Sequence, residues 1–115
     1  MFTDEHRLIL QTVERIASKF GRRYWLECAR DDRQPLELWS ELAGAGLTGV
    51  GVPTGMGGSG YGLVEAVLVQ EALARHGIPL LHLLTTHLSR VPIIRHGSRE
   101  QIEKYVKSTC SEGRK

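Results

Sequence analysis

Two cysteines, Cys28 and Cys110, are all that this 115-residue chain contains. They stand far apart, with no CxxC or Cys/His ligand spacing, which argues against a disulfide framework and suits free thiols in a reducing compartment. Charge of one sign is also scarce. Fifteen Lys and Arg face 13 Asp and Glu, for a formal net charge of +2. The basic residues are scattered among acids, so no stripe suited to a phosphate backbone forms and nucleic acid is not an expected partner. Long apolar runs are missing too: the longest, Ile78 to Leu84, is far too short to span a bilayer and carries His82, so no membrane role is expected. The opening MFTDEHRLIL enters an amphipathic helix pattern at once, without a signal-peptide core or an acid-free arginine run, so a cytoplasmic location is expected. No alternating strand pattern of useful length exists, and the length is that of one domain.

What is present reads as helices. Thr3 can cap the first, with Asp4 and Glu5 in its positive first turn and Ile9, Val13, Ile16 and Phe20 along one buried face. Gly21 ends that helix or breaks it before Tyr24 and Trp25. The polar run RDDRQP leads to a second helix with Pro35 in its first turn, an apolar face of Leu38, Trp39 and Leu42, and Gly46 as a left-handed terminator. A third helix spans Leu63 to His76, with Val64, Val67, Leu68 and Glu71 along one side. A fourth runs from Pro79 to about Arg95. Its early part is almost wholly apolar, which predicts protein on most sides of it, and Pro92 predicts a kink or a broken turn. Ser98-Arg99-Glu100-Gln101 is a capping box that opens a last helix through Ile102, Tyr105 and Val106. The expected fold is all-α, a bundle of about five helices with a glycine-rich irregular connection.

That connection holds seven glycines between Gly49 and Gly62 and contains a formal GxGxxG match at Gly55, Gly57 and Gly60. A dinucleotide fingerprint needs a strand before the glycines and an acid about 20 residues on. Here Pro53 ends the short Val50-Gly51-Val52 run, and Leu80-Leu81 occupy the acid's place. The glycines are better read as an irregular connector with positive φ angles and close backbone approaches. Ser59 and Thr54 can contact a cofactor or satisfy the turn's own backbone; both readings stay open. His76, His82, His87 and His96 are spread through the two central helices. His82 and His87 are five apart and so face differently, and no metal site is expected.

The segments FTDEHRLI, PLELWSELAGAGLTGVGVP, GMGGSGYG, VQEALARHG, VPIIRHGSREQIEKYV and SEG occur in the order and near the spacing of one family. Together they resemble the N-terminal helical domain of the acyl-CoA dehydrogenases, FAD-dependent oxidoreductases that oxidise the Cα–Cβ bond of acyl-CoA thioesters. Met56 stands where the family usually has an aromatic, and Val106-Lys107 where a Leu-Pro is common. Members continue past the SEG position into a β domain, which holds much of the flavin, and a second helical domain, which carries the catalytic glutamate. Neither region is within these 115 residues, so the resemblance implies a domain inactive alone that does not hold FAD stably by itself. It also implies an acyl-CoA substrate, an electron-transfer flavoprotein as redox partner, and a homo-oligomer or a complementary chain.

The resemblance implies further that Leu80, Leu81, Leu84, Thr85 and Leu88 form one wall of the acyl-chain cavity. Their spacing puts these side chains on one face. An alkyl chain laid on such a face gains roughly 0.8 kcal/mol per buried methylene. The same stripe is also what an ordinary helical core looks like, and both readings remain. Leu84 would fill the deep end of the tunnel. Glu65 and Glu71, the acids of the third helix, are not marked as a catalytic base by the resemblance. Other functions compete: a non-catalytic helical interaction module or a subunit of a split enzyme, and a nucleotide-binding module built on GxGxxG.

Overall fold

The computed structural model describes residues 3–111. Met1 and Phe2 of the opening segment and Glu112 and Gly113 of the closing one lie outside the described residues. Thr3 starts α1 (Asp4–Arg30) as its position predicts: its hydroxyl accepts the His6 N–H at 3.1 Å, and the His6 ring accepts the Thr3 N–H in return. Ile9, Val13 and Ile16 are buried together with Ala17, and Phe20 is half-buried against the edge of Tyr24. Gly21 breaks the helix rather than ending it. With φ 68° and ψ −174° it occupies backbone space that suits glycine alone, and α1 is two helical halves joined by a kink there.

Pro35 stands one position earlier than expected, as the cap of α2 (Leu36–Gly44), where its carbonyl accepts the Trp39 N–H at 3.0 Å. Leu38, Trp39 and Leu42 are fully buried, and Gly46 takes the expected left-handed conformation just beyond the helix. Short 3₁₀ turns follow at Leu47–Gly49 and Thr54–Met56. Then comes α3 (Leu63–Arg75), whose Glu65 carboxylate accepts the Gly62 N–H at 3.1 Å. The buried face of α3 is Leu68, Val69, Ala72 and Leu73, whereas Val64, Val67 and Glu71 are exposed. Apolar side chains ring this helix, so periodicity alone does not select the face; packing against α1 does.

Helix α4 (Leu81–His96) begins two residues after Pro79 and is continuous through Pro92. Its surroundings differ from expectation. Leu81 is 61% exposed and Leu88 60%, because α4 packs mainly on the last helical segment and a cavity separates it from α3. That last segment opens at Ser98 with the capping box in place: the Ser98 hydroxyl accepts the Gln101 N–H, and the Gln101 side chain accepts the Ser98 N–H. It comprises α5 (Arg99–Gln101), a π-helical stretch (Ile102–Lys107) and α6 (Ser108–Ser111).

Among the described residues no strand forms; Val50 and Gly60 make one isolated bridge. The fold is all-α, four helices and a final helical segment, as expected. None of the described helices is long and apolar enough to cross a membrane. The main core joins Val13 and Ile16 of α1, Leu38 and Trp39 of α2, and Val69 and Leu73 of α3, and Ile78 and Leu80 seal it. Each such aliphatic side chain contributes about 1.5–3 kcal/mol on burial. A second, smaller cluster of Val52, Val106 and Cys110, with Met56 and Ile102 against it, fixes the final segment to the glycine-rich turn.

Candidate functional site

The glycine-rich turn uses its own amides. Gly51 donates to the Gly60 carbonyl at 2.8 Å and Gly60 to that of Val52 at 2.9 Å. Gly58 donates to Pro53, Gly57 to Thr54 and Ser59 to Gly49, all within 3.2 Å. A phosphate cradle needs several amides converging on open space, and these are already engaged. The turn therefore does not fit a flavin's pyrophosphate. The Ser59 hydroxyl donates to the Gly46 carbonyl, so of its two readings the structure realises the backbone one. Thr54 contributes its carbonyl to the turn. The glycines permit close approach: a Cβ on Gly58 would lie 2.2 Å from the Val52 carbonyl oxygen, and one on Gly57 2.7 Å from Lys107 Cγ. The segment is a joint between the chain's middle and its last helical segment.

A cavity of about 400 Å³ lies between α3 and α4, open to solvent on one side. Leu63, Ala66 and Val67 of α3 and Leu84 of α4 give it apolar walls, and Leu47 and Val50 close its base. Of the five residues expected to form an acyl wall, Leu84 lines this cavity. Leu80 is buried in the main core, where its carbonyl accepts the Gln70 amide at 2.9 Å. Leu81 and Leu88 are exposed on the same side of α4 as Leu84. Thr85 borders a second cavity of about 380 Å³, shared with Ser89 and Tyr105. The stripe therefore divides between core, cavity and open surface.

The two central acids differ. Glu65 is held by the Gly62 amide and lies 3.4 Å from His6 Nε2, so it ties the start of α3 to the start of α1. Glu71 is exposed and borders the cavity. Among the histidines, His76 caps the end of α3, His82 and His87 lie on α4, and His96 is its last residue.

Sequence reasoning passed over Arg90, which borders both cavities and is 2% exposed. Its Nη1 donates to the Thr48 carbonyl and its Nε to Thr109 Oγ1 at 3.0 Å, while Nη2 is buried without a partner. Burial pulls its pKa below the usual guanidinium value. The Thr48 hydroxyl in turn donates to the Cys110 carbonyl at 3.0 Å, and burial pushes the Cys110 thiol up. One turn earlier on α4, His87 also lines the α3–α4 cavity, with Nδ1 buried and unpartnered. Burial first, and the Arg90 charge second, hold His87 below the ordinary imidazole value, so it is neutral at pH 7. A signal was available: from Gly77 to Ile94, Arg90 is the one Asp, Glu, Lys or Arg.

Among the described residues, an all-α fold with an apolar cavity between two helices and no phosphate cradle in its glycine turn is not built as a dinucleotide-binding domain. Residues 3–113 match the family model for the acyl-CoA dehydrogenase N-terminal domain. The chain belongs to that family. It is 30% identical over 105 residues to an acyl-CoA dehydrogenase of Mycobacterium tuberculosis, covering 90% of this chain and 27% of the relative. A probable acyl-CoA dehydrogenase of Escherichia coli is 30% identical over 112 residues, covering 96% and 29%. The mitochondrial isovaleryl-CoA dehydrogenase of Pongo abelii is 27% identical over 113 residues, covering 95% and 27%. The chain thus spans less than a third of the length of these relatives. A solved chain described as an electron transferring flavoprotein of Acidaminococcus fermentans shares the fold, with a TM-score of 0.76 at 24% identity, over 98% of this chain and 30% of that one.

Proposed function

We propose that residues 1–115 serve as the N-terminal helical domain of an FAD-dependent acyl-CoA dehydrogenase-like oxidoreductase and supply part of its acyl-chain pocket. The observation that carries this is the apolar α3–α4 cavity, in a chain whose family acts on acyl-CoA thioesters. Leu63, Val67 and Leu84 would shield the alkyl tail from water, at roughly 0.8 kcal/mol per methylene. Leu81 and Leu88 would meet the acyl chain or another domain. Desaturation needs a base for the α-proton and a flavin to take the hydride. In this reading the domain acts by binding the acyl chain and excluding water, and the flavin and the base would come from a β domain and a second helical domain. Electrons would pass on to an electron-transfer flavoprotein, in the cytoplasm.

Two measurements test this. Methyl resonances of Leu63, Val67 and Leu84 are expected to shift when an acyl-pantetheine is added, and unchanged spectra count against the pocket. Mixed with FAD, acyl-CoA and an artificial electron acceptor, the chain is expected to leave the flavin unbleached; turnover at the rate of a full-length relative would show that the other domains are dispensable.

A second reading rests on the exposure of Leu63, Val64, Val67, Leu81 and Leu88. Such a surface suits a helical interaction module that pairs with itself or with a complementary chain. It predicts association without thioester binding.

A further inference from the structure

Gln70 is the polar member of an otherwise apolar stripe. Leu63, Ala66, Val67, Gln70 and Ala74 follow one another at helical spacing along the side of α3 that walls the larger cavity. Half-burying an amide in such a wall is unfavourable unless its hydrogen bonds are met. One is met across the turn into α4, where Gln70 Nε2 donates to the Leu80 carbonyl at 2.9 Å. That carbonyl already accepts the Leu83 N–H at 3.1 Å. It has a partner without Gln70, so the amide does not serve to rescue an orphaned acceptor. What the bond adds is a fixed distance between the two walls of the cavity, at the point where the chain enters α4.

The rest of α4 is held from other directions. His87 lies against Gly51, where an added Cβ would come within 2.6 Å of the imidazole Cε1, and Arg90 is bonded to the Thr48 carbonyl. Beyond them the helix packs on the last helical segment. Leu83 and Leu84, which line the cavity, sit between these anchors and the Gln70 tie. The separation of Leu84 from Val67 across the cavity therefore depends on the tie at one end of the span and on the anchors at the other.

We propose that Gln70 is a positioning residue: by tying α3 to the Leu80 carbonyl it sets the width of the α3–α4 cavity, and with it the longest acyl chain the cavity accepts. For its ligand the proposal rests on the acyl-pocket reading above; for the width it rests on the Gln70–Leu80 geometry. With the tie gone, the first turn of α4 follows the segment it packs on and moves away from α3, so longer chains enter.

Two measurements on the whole chain test it. They compare the parent with Gln70→Met, which keeps the side chain's length without a donor, and with Gln70→Glu, whose ionised carboxylate can only accept. The first is calorimetric titration with butanoyl-, hexanoyl-, octanoyl- and decanoyl-pantetheine. The parent is expected to gain about fourfold in affinity per methylene until the cavity is filled, and nothing beyond that length. In the variants the short chains are expected to bind as they do in the parent, and the limit to move out by at least one step of the series. A uniform loss at every length, with the limit unmoved, would make Gln70 a merely structural residue and overturn the proposal. If one variant does not fold, the other carries the comparison.

The second measurement needs no ligand. Nuclear Overhauser contacts between the methyl groups of Val67 and Leu84 are expected to weaken in the variants. Unchanged contacts overturn the role of Gln70, whatever binds. No binding of any thioester by the parent, with the contacts weakened, overturns the acyl pocket and its chain-length limit and leaves Gln70 as the residue that sets the cavity's width.

Discussion

Arg90 donates through Nη1 to the main-chain carbonyl of Thr48, so a side chain of α4 is hydrogen-bonded to the turn that follows α2. Thr48 passes the connection on, its hydroxyl donating to the Cys110 carbonyl at the chain's far end. Three segments distant in sequence thus meet at one buried polar node.

Truncating that node should be costly. Arg90→Ala removes two hydrogen bonds and leaves the buried Thr48 carbonyl with one partner fewer, at about 1–3 kcal/mol. Urea unfolding should show a lower midpoint with an unchanged slope, and a midpoint equal to that of the parent would mean the node contributes nothing to stability.

The glycine turn offers a paired experiment. A Cβ on Gly58 would meet the Val52 carbonyl oxygen at 2.2 Å, whereas one on Gly55 meets nothing within 4 Å. Gly58→Ala is expected to cost about 1–3 kcal/mol by overpacking. Gly55→Ala should stay within about 0.5 kcal/mol of the parent. Thermal melts of the two variants decide it, and the opposite order would contradict the joint described here. Neither substitution should alter retention on a nucleotide resin, because the turn's amides face its own carbonyls.

Acid stability is set in part by His87, whose pKa in the folded chain lies below the ordinary 6.5. Between the folded value and 6.5 the unfolded chain binds a proton that the folded chain does not. Stability therefore rises with pH across that window and is lost as pH falls through it. His87→Gln is expected to flatten this acid-side loss. Urea midpoints at about pH 7.5 and about pH 5.5 should lie closer together in the variant than in the parent; equal spacing would count against a buried neutral His87.

Exposed leucines on α4 should make the chain self-associate. Leu81→Gln combined with Leu88→Gln removes two large apolar side chains from one surface, each worth roughly 1.5–3 kcal/mol when covered. Sedimentation across a concentration series is expected to show association in the parent and at least a roughly tenfold weaker tendency in the double variant. A parent that stays monomeric throughout would show that this surface does not pair with itself.

Much of the fold was legible because local chemistry decides it. Thr3 caps α1, Gly46 ends the second helix in the left-handed region, and Ser98 with Gln101 opens the last segment; each is settled within a few residues of itself. Gly21 was legible as a stop or a break, and the kink resolves which. The family was legible as well, because the order and spacing of six segments is a one-dimensional property.

What the sequence by itself determined is therefore the helices, their caps, the connector role of the glycines and the family. Tertiary structure alone decided which side of each helix is buried, since apolar side chains ring α3 and the polar stripe of α4, His82, Thr85, Thr86 and Ser89, borders a cavity. It put Leu80 in the core while leaving Leu81 in solvent, because the chain enters α4 between them. It also buried Arg90, a charge any helix surface could have carried, by setting it between Thr48 and Thr109, residues 42 and 19 positions away. Burial and counter-charge depend on what the folded chain places nearby in space, and neither can be read from neighbours in sequence.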